Sequence, residues 1–336
     1  MKIAVIGCGY WGTHLLRNFF QSQDWELAYA CDTDQKQLDK FATMYPEAKM
    51  TSDYSKIMAD SSIDAVAIAT PVHTHYDIAL AALEAGKHAW VEKPLTDSSA
   101  TARKLIEAAE KNNVQLHVDH TYIYTPAVQK IKDLIDNGEL GDFRYFDSIR
   151  VNLGLFQHDI NVVWDLAPHD FSILHYCIGK KPIAVNATGK ALEKYGTKEI
   201  ESIAYITVHF DDNTMAHFNV NWMSPVKIRQ IIVGGSKKML VFNDMSTDEK
   251  LKIYDTGVSI QNREEIYDTL IQYRTGDMYS PRVENKEALK TEVDHFYECV
   301  KAGKATITDG TSGLYVVQLL EAAEISIKNN GKLVEL

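Results

Sequence analysis

Three segments of this sequence combine residue types and spacings that suit ligand binding or catalysis. Gly7-Cys8-Gly9-Tyr10-Trp11-Gly12 has the G-x-G-x-x-G pattern, in which glycines let backbone N–H groups approach a phosphate. Glu92-Lys93-Pro94 places a lysine directly after an apolar run. In Trp164-Asp165-Leu166-Ala167-Pro168-His169-Asp170, Asp165 and His169 are four positions apart, so on a helical turn they share one face.

The context of the glycine segment predicts a dinucleotide site. The segment directly follows the apolar run Ile3–Ile6 and opens a helical stretch through Leu15 and Phe19. Asp32 lies about 20 residues beyond Gly12, as the dinucleotide-binding pattern requires. The helix N-terminus favours a pyrophosphate. Asp32 can accept hydrogen bonds from the adenosine ribose hydroxyls, each worth about 1.5–3 kcal/mol.

The residues after this acid favour NAD over NADP. The 2′-phosphate of NADP would be repelled by the negative charge of Asp32. The next two residues are Thr33 and Asp34, and no arginine that could bind such a phosphate is near in the sequence. The alternative is that the glycines serve only a tight turn and that Asp32 only caps the next helix.

The other two segments have the residue types that alcohol oxidation needs. A base must take the hydroxyl proton while hydride leaves the same carbon, and histidine suits that role near neutral pH. His169 is the candidate base, and Lys93 follows a strand-like run at the edge where open α/β sheets bind ligands. The alternatives are that Lys93 is a surface lysine paired with Glu92, that Asp165 is a helix cap and that His169 is a packed core histidine.

Two kinds of hydrophobic pattern indicate the elements that must position these residues. Up to about residue 120, short apolar runs alternate with amphipathic segments, which predicts parallel strands joined by helices and covered on both faces. The runs are Ile3–Ile6, Leu27–Cys31, Ala65–Ala69, His88–Val91 and Gln115–Val118.

After residue 140 the runs become longer and mostly alternating, which predicts a largely antiparallel sheet with one free face. Asp211-Asp212-Asn213 is a predicted hairpin turn, and two amphipathic helices follow, one before Gly303 and one before Gly331. The alternating runs are Phe143–Leu153, Ile203–Phe210 and Ala216–Trp222. The fold class is therefore α/β, with a Rossmann domain over residues 1–120 and an α+β domain on an open, mostly antiparallel sheet over 121–336.

Composition excludes several function classes. The net charge of −11 argues against nucleic acid and anionic membranes as partners. The four cysteines form no C-x-x-C pair, which fits a reduced protein better than a disulfide framework or a zinc site. The first residues are too short an apolar run for a signal peptide, and no apolar run reaches the ~18 residues of a membrane span. We expect a cytoplasmic protein without a metal.

These motifs together resemble the glucose-fructose oxidoreductase, inositol dehydrogenase and MocA family, written Gfo/Idh/MocA. The resemblance covers essentially the whole chain. Beyond GCGYWG and Asp32, it is carried by ATPVHTH at 69–75, ALEAGKHAWVEKPL at 82–95, TPAVQKIKDLIDNGELG at 125–141, WDLAPHDFSILHYCIG at 164–179 and NWMSP at 221–225.

The resemblance implies three catalytic residues. Lys93 matches the lysine that contacts the reacting hydroxyl and the nicotinamide, Asp165 matches the acid that orients the substrate, and His169 matches the acid/base. It also implies that the first domain binds the cofactor and that the second binds substrate and forms a homodimer or homotetramer through its sheet.

Further site residues follow from the same resemblance. His75 matches the histidine of T-P-N-x-x-H, Thr70 and Pro71 lie in the loop that passes the cofactor, and Pro94 matches a proline usually preceded by a cis bond. His120 and Tyr124 are candidate substrate contacts, although Tyr124 could equally be core. The expected cofactor-binding residues are Gly7, Gly9, Tyr10, Trp11, Gly12, Asp32, Thr70, Pro71, His75, Glu92 and Lys93.

Two positions depart from the family pattern. Val72 stands where the motif usually has Asn, which removes a polar contact near the cofactor. Ile123 stands where many relatives have Arg, so the means of holding an anionic substrate group is open. Substrate choice is expected to depend on the loop at residues 153–159.

The function expected from these residues is hydride transfer between NAD and a secondary alcohol, or the corresponding ketone, of a sugar, cyclitol or nucleotide sugar. Two alternatives remain open. One is a glycosidase that retains NAD and oxidises its substrate only transiently, and the other is a dinucleotide-binding regulator without turnover.

Overall fold

Residues 1–154, 160–195, 198–261 and 270–336 are described by the computed structural model. Internal contacts divide the chain into two units. The first comprises Met1–Tyr124 and Lys286–Gln318, and the second comprises Thr125–Asn285 and Leu319–Leu336.

The first unit contains the predicted parallel sheet, with strand order β3-β2-β1-β4-β5-β6 among the described residues. All neighbouring strands pair in parallel, and this order is that of a Rossmann fold. The central strands are almost wholly buried because helices cover both faces. The strands are β1 Lys2–Ile6, β2 Glu26–Cys31, β3 Lys49–Thr51, β4 Ala65–Ile68, β5 His88–Glu92 and β6 Leu116–Asp119.

Several helices begin at a residue whose side chain accepts a backbone N–H. In the helix Ser99–Asn112, for example, the Ser98 side chain accepts a hydrogen bond from the Thr101 N–H, and Asn113 ends the helix in the left-handed conformation. The helices are α1 Tyr10–Gln21, α2 Gln35–Met44, α3 Ser55–Ala59, α4 His75–Glu84, α5 Ser99–Asn112, α6 Pro126–Asp136, α7 Val162–Ile178, α8 Ala288–Ala302 and α9 Gly310–Lys328.

Helix α8 belongs to the first unit, although the sequence analysis placed residues 121–336 in one second domain. Its apolar stripe is the physical reason for the difference. Phe296 stacks on Trp25 with ring centroids 5.5 Å apart and meets Trp90 edge-on at 5.4 Å. The predicted stop of this helix at Gly303 is observed. The Rossmann core is therefore completed by a segment far along the chain.

The second unit is built on a mixed sheet with order β16-β15-β14-β13-β7-β12-β11-β8-β17 among the described residues. Its neighbours pair antiparallel except for β7 and β12, which are parallel. The strands are β7 Phe143–Leu153, β8 Ala184–Lys190, β11 Ile203–His209, β12 Met215–Asn221, β13 Met223–Gly235, β14 Met239–Asn243, β15 Leu251–Gln261, β16 Leu270–Tyr279 and β17 Val334–Glu335, with β9 Lys194–Tyr195 and β10 Lys198–Glu199 as a separate pair.

The alternating pattern in this sheet buries one face against α7. Buried and exposed residues alternate along β11 and β12, and the predicted turn between them is present, with Asn213 in the left-handed conformation. Phe171 of α7 meets Phe218 of β12 edge-on at 4.8 Å, and Phe146 of β7 lies 5.7 Å from the same ring. This packing fixes the helix that carries Asp165 and His169.

Candidate functional site

A cavity of about 390 Å³ lies at the carboxyl ends of β1, β2 and β4 in the first unit. Its position is the point where the strand order reverses, at which open α/β sheets bind their ligands. Its described lining is Ile6, Gly7, Gly9, Cys31, Asp32, Thr33, Ser52, Tyr54, Ala69, Thr70, Pro71, Thr74 and Ile78. Five of the predicted cofactor-binding residues thus line one cavity: Gly7, Gly9, Asp32, Thr70 and Pro71.

The three glycines have different reasons to be glycine. Gly7 has φ +90°, and an added Cβ would lie 2.6 Å from the Ala69 carbonyl oxygen. At Gly12 the added Cβ would lie 1.8 Å from the Gly7 carbonyl oxygen, so this position packs α1 against the turn. A Cβ on Gly9 would meet nothing within 4 Å.

The open space at Gly9 fits a phosphate group. Gly9 is the N-cap of α1 and lines the cavity, and as a glycine it has no side chain to occupy the first N–H groups of the helix. The alternative of a turn serving only local geometry accounts for Gly7 and Gly12. It does not account for Gly9, where the protein itself leaves room for a Cβ.

Asp32 holds the turn and retains capacity for a ligand. Its Oδ2 accepts the Cys8 N–H at 2.7 Å and its Oδ1 accepts the Asp34 N–H at 2.8 Å. A carboxylate has about four acceptor positions, so two remain for ribose hydroxyls. Asp34, rather than Asp32, caps α2 by accepting the Lys36 N–H at 2.9 Å. Among the described residues, the cavity wall has no lysine or arginine.

Lys93 directly follows β5, at the same carboxyl edge of the sheet. It is half-buried, and the Lys93–Pro94 peptide bond is cis, as the family pattern indicates. His75 is buried and joins two loops of this edge. Its Nδ1 lies 3.0 Å from the Pro94 carbonyl oxygen and its Nε2 lies 2.8 Å from that of Thr70.

These contacts indicate that His75 has a structural role. Both ring nitrogens face backbone carbonyls, so the side chain holds the Thr70 loop and the Pro94 loop rather than offering a nitrogen to a cofactor. Burial lowers the pKa of His75, so the ring is neutral near pH 7 and donates to one of the two carbonyls. Val72, which stands where the family motif usually has Asn, lies in the short 3₁₀ turn between Thr70 and His75.

Other predicted residues lie away from the cavity wall. The Tyr10 side chain is 86% exposed, whereas the Trp11 indole turns inward and donates to Asp119 Oδ2 at 2.6 Å. His120 is 1% exposed and Tyr124 is 2% exposed. The Tyr124 hydroxyl lies 3.0 Å from Thr308 Oγ1, which is the core position that the sequence analysis kept as the alternative for this residue.

A buried polar cluster in the first unit escaped the sequence analysis. It contains Asp119, Glu292 and His117, with His117 Nε2 3.1 Å from Glu292 Oε1. One signal was present in the sequence. Glu292 stands three positions after Leu289 and four before Phe296, on the apolar stripe of a predicted helix, where an acid has no reason to be unless it is paired.

In the second unit, Asp165 and His169 lie on one half-buried face of α7. Asn161, not Asp165, caps this helix by accepting the N–H groups of Val163 and Trp164. Asp165 Oδ2 accepts the Trp222 indole N–H at 2.9 Å, which orients its carboxylate. The capping alternative for Asp165 is therefore wrong.

A buried ion pair ties the same helix to β7. Arg150 Nε lies 2.9 Å from Asp170 Oδ2, and Arg150 Nη2 lies 2.7 Å from Asp170 Oδ1. Both side chains are buried, and the two-pronged geometry is the strongest form of this interaction. Asp170 is adjacent to His169, so the pair fixes the helix at the position of the candidate base.

The match to known families decides the classification. Residues 1–120 match the model described as "Oxidoreductase family, NAD-binding Rossmann fold", and residues 128–241 match the GFO/IDH/MocA C-terminal domain. The chain belongs to the GFO/IDH/MocA family. This GFO/IDH/MocA protein is thus an oxidoreductase with an NAD-binding Rossmann domain, as the motifs indicated.

Relatives of this GFO/IDH/MocA protein align along nearly its whole length. It is 26% identical to scyllo-inositol 2-dehydrogenase (NAD(+)) of Bacillus subtilis, covering 98% of this chain and 94% of the relative. It is 25% identical to myo-inositol 2-dehydrogenase of Thermotoga maritima, covering 100% and 99%. The solved structure of UDP-N-acetylglucosamine 3-dehydrogenase from Acidithiobacillus ferrooxidans has the same fold, with a TM-score of 0.80, 22% identity and 98% coverage of both chains.

The described residues offer neither a membrane span nor a metal centre. No described helix is long and apolar enough to cross a membrane. Within the same residues, no group of three or more His, Cys, Asp or Glu side chains is arranged to hold a metal ion. The loop at residues 155–159, expected to govern substrate choice, lies outside the described residues.

Proposed function

We propose that this protein is an NAD-dependent dehydrogenase or reductase that acts on a secondary alcohol, or the corresponding ketone, of a sugar, cyclitol or nucleotide sugar. The observation that carries the proposal is the Asp165–His169 face of α7, where a carboxylate held by Trp222 accompanies a histidine one turn away. The named activities of the inositol dehydrogenase relatives support the substrate class.

The cofactor preference rests on the cavity in the first unit. Asp32 would face a 2′-phosphate with like charge, and among the described lining residues no lysine or arginine offsets it. The N-terminus of α1 at Gly9 would hold the pyrophosphate, and Asp32 the ribose. NAD is therefore favoured over NADP.

Each side chain has a distinct role in the proposed reaction. Bound NAD supplies the hydride acceptor. His169 takes the hydroxyl proton, Lys93 stabilises the negative charge that develops on the substrate oxygen, and Asp165 orients the substrate through its hydroxyls. In the reductive direction His169 returns the proton. General-base help of this kind is worth about 10²–10⁴-fold.

Two substitutions test these roles. His169→Ala and Lys93→Ala are each expected to lower kcat at least about 10²-fold, because each removes a group that acts on the reacting hydroxyl. Both variants should still bind NADH, measured by fluorescence titration. The substrate panel should include sugars, inositols and UDP- and dTDP-sugars. Near-normal turnover in both variants would contradict the assignment.

We also propose a cytoplasmic homodimer or homotetramer formed through the sheet of the second unit. The sheet face opposite α7 carries the exposed side chains of Tyr205 on β11 and Met215 on β12, which supports a protein contact there. The four cysteines are free thiols, which fits a reducing compartment. Sedimentation of the protein as a monomer would contradict the oligomer.

A further inference from the structure

Asp119 is a buried carboxylate at the carboxyl end of β6 that accepts three hydrogen bonds. The donors are the indole N–H of Trp11 at 2.6 Å, the indole N–H of Trp90 at 3.1 Å and the hydroxyl of Thr121 at 2.5 Å. The carboxylate is 1% exposed. Burying a charge is costly unless it is fully hydrogen-bonded, so a carboxylate here needs these donors.

Trp11 differs from the other two donors because it belongs to the glycine-rich turn. It is the second residue of α1, next to the helix start that faces the phosphate position. Strand β6 lies three places from β1 in the sheet, or about 14 Å at ordinary strand spacing. The Trp11–Asp119 bond therefore joins two parts of the cofactor edge that no strand pairing connects directly.

The same carboxylate is linked to the position of Lys93. Asp119 pairs with Glu92 in the register of β5 and β6, and Lys93 is the next residue. One side chain thus lies between the turn that would hold the pyrophosphate and the strand end that would hold the nicotinamide.

Asp119 shares its buried environment with Glu292, and the pKa values of both acids are raised, that of Glu292 the more strongly. Burial, and next the charge of Asp119, raise the pKa of Glu292 on α8 well above its ordinary value, so Glu292 is the protonated partner. Burial also lowers the pKa of His117, which lies against Glu292, well below its ordinary value. Burial raises the pKa of Asp119 as well, and side-chain hydrogen bonds from Thr121, Trp11, Trp90 and Glu292 oppose that shift.

We propose that Asp119 is a positioning residue for the cofactor: through Trp11 it fixes the start of α1 and the glycine turn, and so sets the affinity for NAD without contacting NAD. This inference rests on the proposed NAD-dependent function. The sequence analysis expected Trp11 to bind the cofactor, whereas this inference gives it an indirect role, in which it holds the glycine turn through its bond to Asp119.

A double-mutant cycle tests the inference. Trp11→Phe removes the indole N–H and keeps an aromatic ring, and Asp119→Asn removes the charge and keeps the shape. Each is expected to raise the Kd for NADH about tenfold, equivalent to about 1.4 kcal/mol. The double variant should be no weaker than about tenfold, because both changes break the same link. At saturating cofactor kcat should stay near the wild-type value while KM for NAD rises.

Trp25→Phe is the matched control. The Trp25 indole N–H donates to the Val293 carbonyl at 3.4 Å in the same core, but Trp25 lies outside the glycine turn. This variant should lose thermal stability without losing affinity for NADH. It separates an effect on the turn from a general loss of stability.

Three results would overturn the inference. One is a Kd within twofold of wild type in both single variants. Another is a hundredfold loss in the double variant, which would mean that the two effects are independent. The third is an equal loss of affinity in Trp25→Phe. If the wild-type protein itself bound no NADH, the proposed function would fall, and the inference with it.

Discussion

The two units position their proposed functional residues by different means. In the first unit, backbone geometry forms the cofactor cavity, with Gly12 packed against the Gly7 carbonyl and His75 holding two loop carbonyls. In the second unit, side-chain pairs orient α7, with Asp165 held by Trp222 and Asp170 by Arg150. A backbone-built site is sensitive to an added atom, whereas a site built by side-chain pairs is sensitive to a lost partner.

The largest test of this difference is removal of one member of the buried pair in the second unit. Arg150→Met leaves the Asp170 carboxylate buried without its partner, which typically costs about 3–5 kcal/mol. The expected result is a large fall in the midpoint of chemical denaturation. If the protein still folds, kcat should fall while the Kd for NADH is unchanged. Arg150→Lys keeps the positive charge but not the two-pronged bond, so its denaturation midpoint should lie between those of the wild type and Arg150→Met.

Added methyl groups test the backbone-built cavity. Gly12→Ala places a Cβ 1.8 Å from the Gly7 carbonyl oxygen and should cost about 1–3 kcal/mol of stability together with NADH affinity. Gly9→Ala is the matched control, because its Cβ meets no protein atom. It should keep the thermal midpoint and lose at least about tenfold in affinity, since the methyl group fills the phosphate position. Equal stability losses in the two variants would contradict this account of the turn.

The smallest expected effect concerns Trp222. Trp222→Phe removes the indole N–H that orients Asp165 and should cost about 1 kcal/mol of stability or less. Because Asp165 would then adopt more than one orientation, KM for the proposed alcohol substrate should rise and the Kd for NADH should not change. Steady-state kinetics with both substrates varied separates these effects. A change in cofactor affinity would mean that the two units are not independent.

The sequence predicted the elements that have strong local patterns. The five apolar runs became β1, β2, β4, β5 and β6, and Phe143–Leu153 became β7 with the same bounds. Strand β3, Lys49–Thr51, was missed because three residues with one buried side chain carry no periodic signal. The prediction of a mostly antiparallel second sheet is confirmed, but the sequence did not indicate that β7 and β12 are the parallel pair, since hydrophobic alternation is the same in parallel and antiparallel strands.

The sequence predicted which residues belong to the candidate site better than it predicted the contacts that hold them. The cap Asn161 directly precedes α7 and was a local signal that the sequence analysis did not use. The spacing placed Asp165 and His169 on one face of that helix, but nothing local showed that Trp222, 57 positions from Asp165, holds its carboxylate. Likewise, Trp11 was expected at the cofactor because of its neighbours, and only the fold brings Asp119, 108 positions away, to its indole.

The packing of α8 against the Rossmann core has a consequence for folding during synthesis. Trp25 and Trp90 lie in a core whose remaining wall includes Phe296, a residue synthesised about two hundred positions after Trp90. The first unit therefore cannot finish folding as it leaves the ribosome, because its last wall follows the synthesis of almost the entire second unit. Until then the faces of Trp25 and Trp90 that Phe296 covers lack this contact, so we expect this stage of synthesis to be the most prone to aggregation.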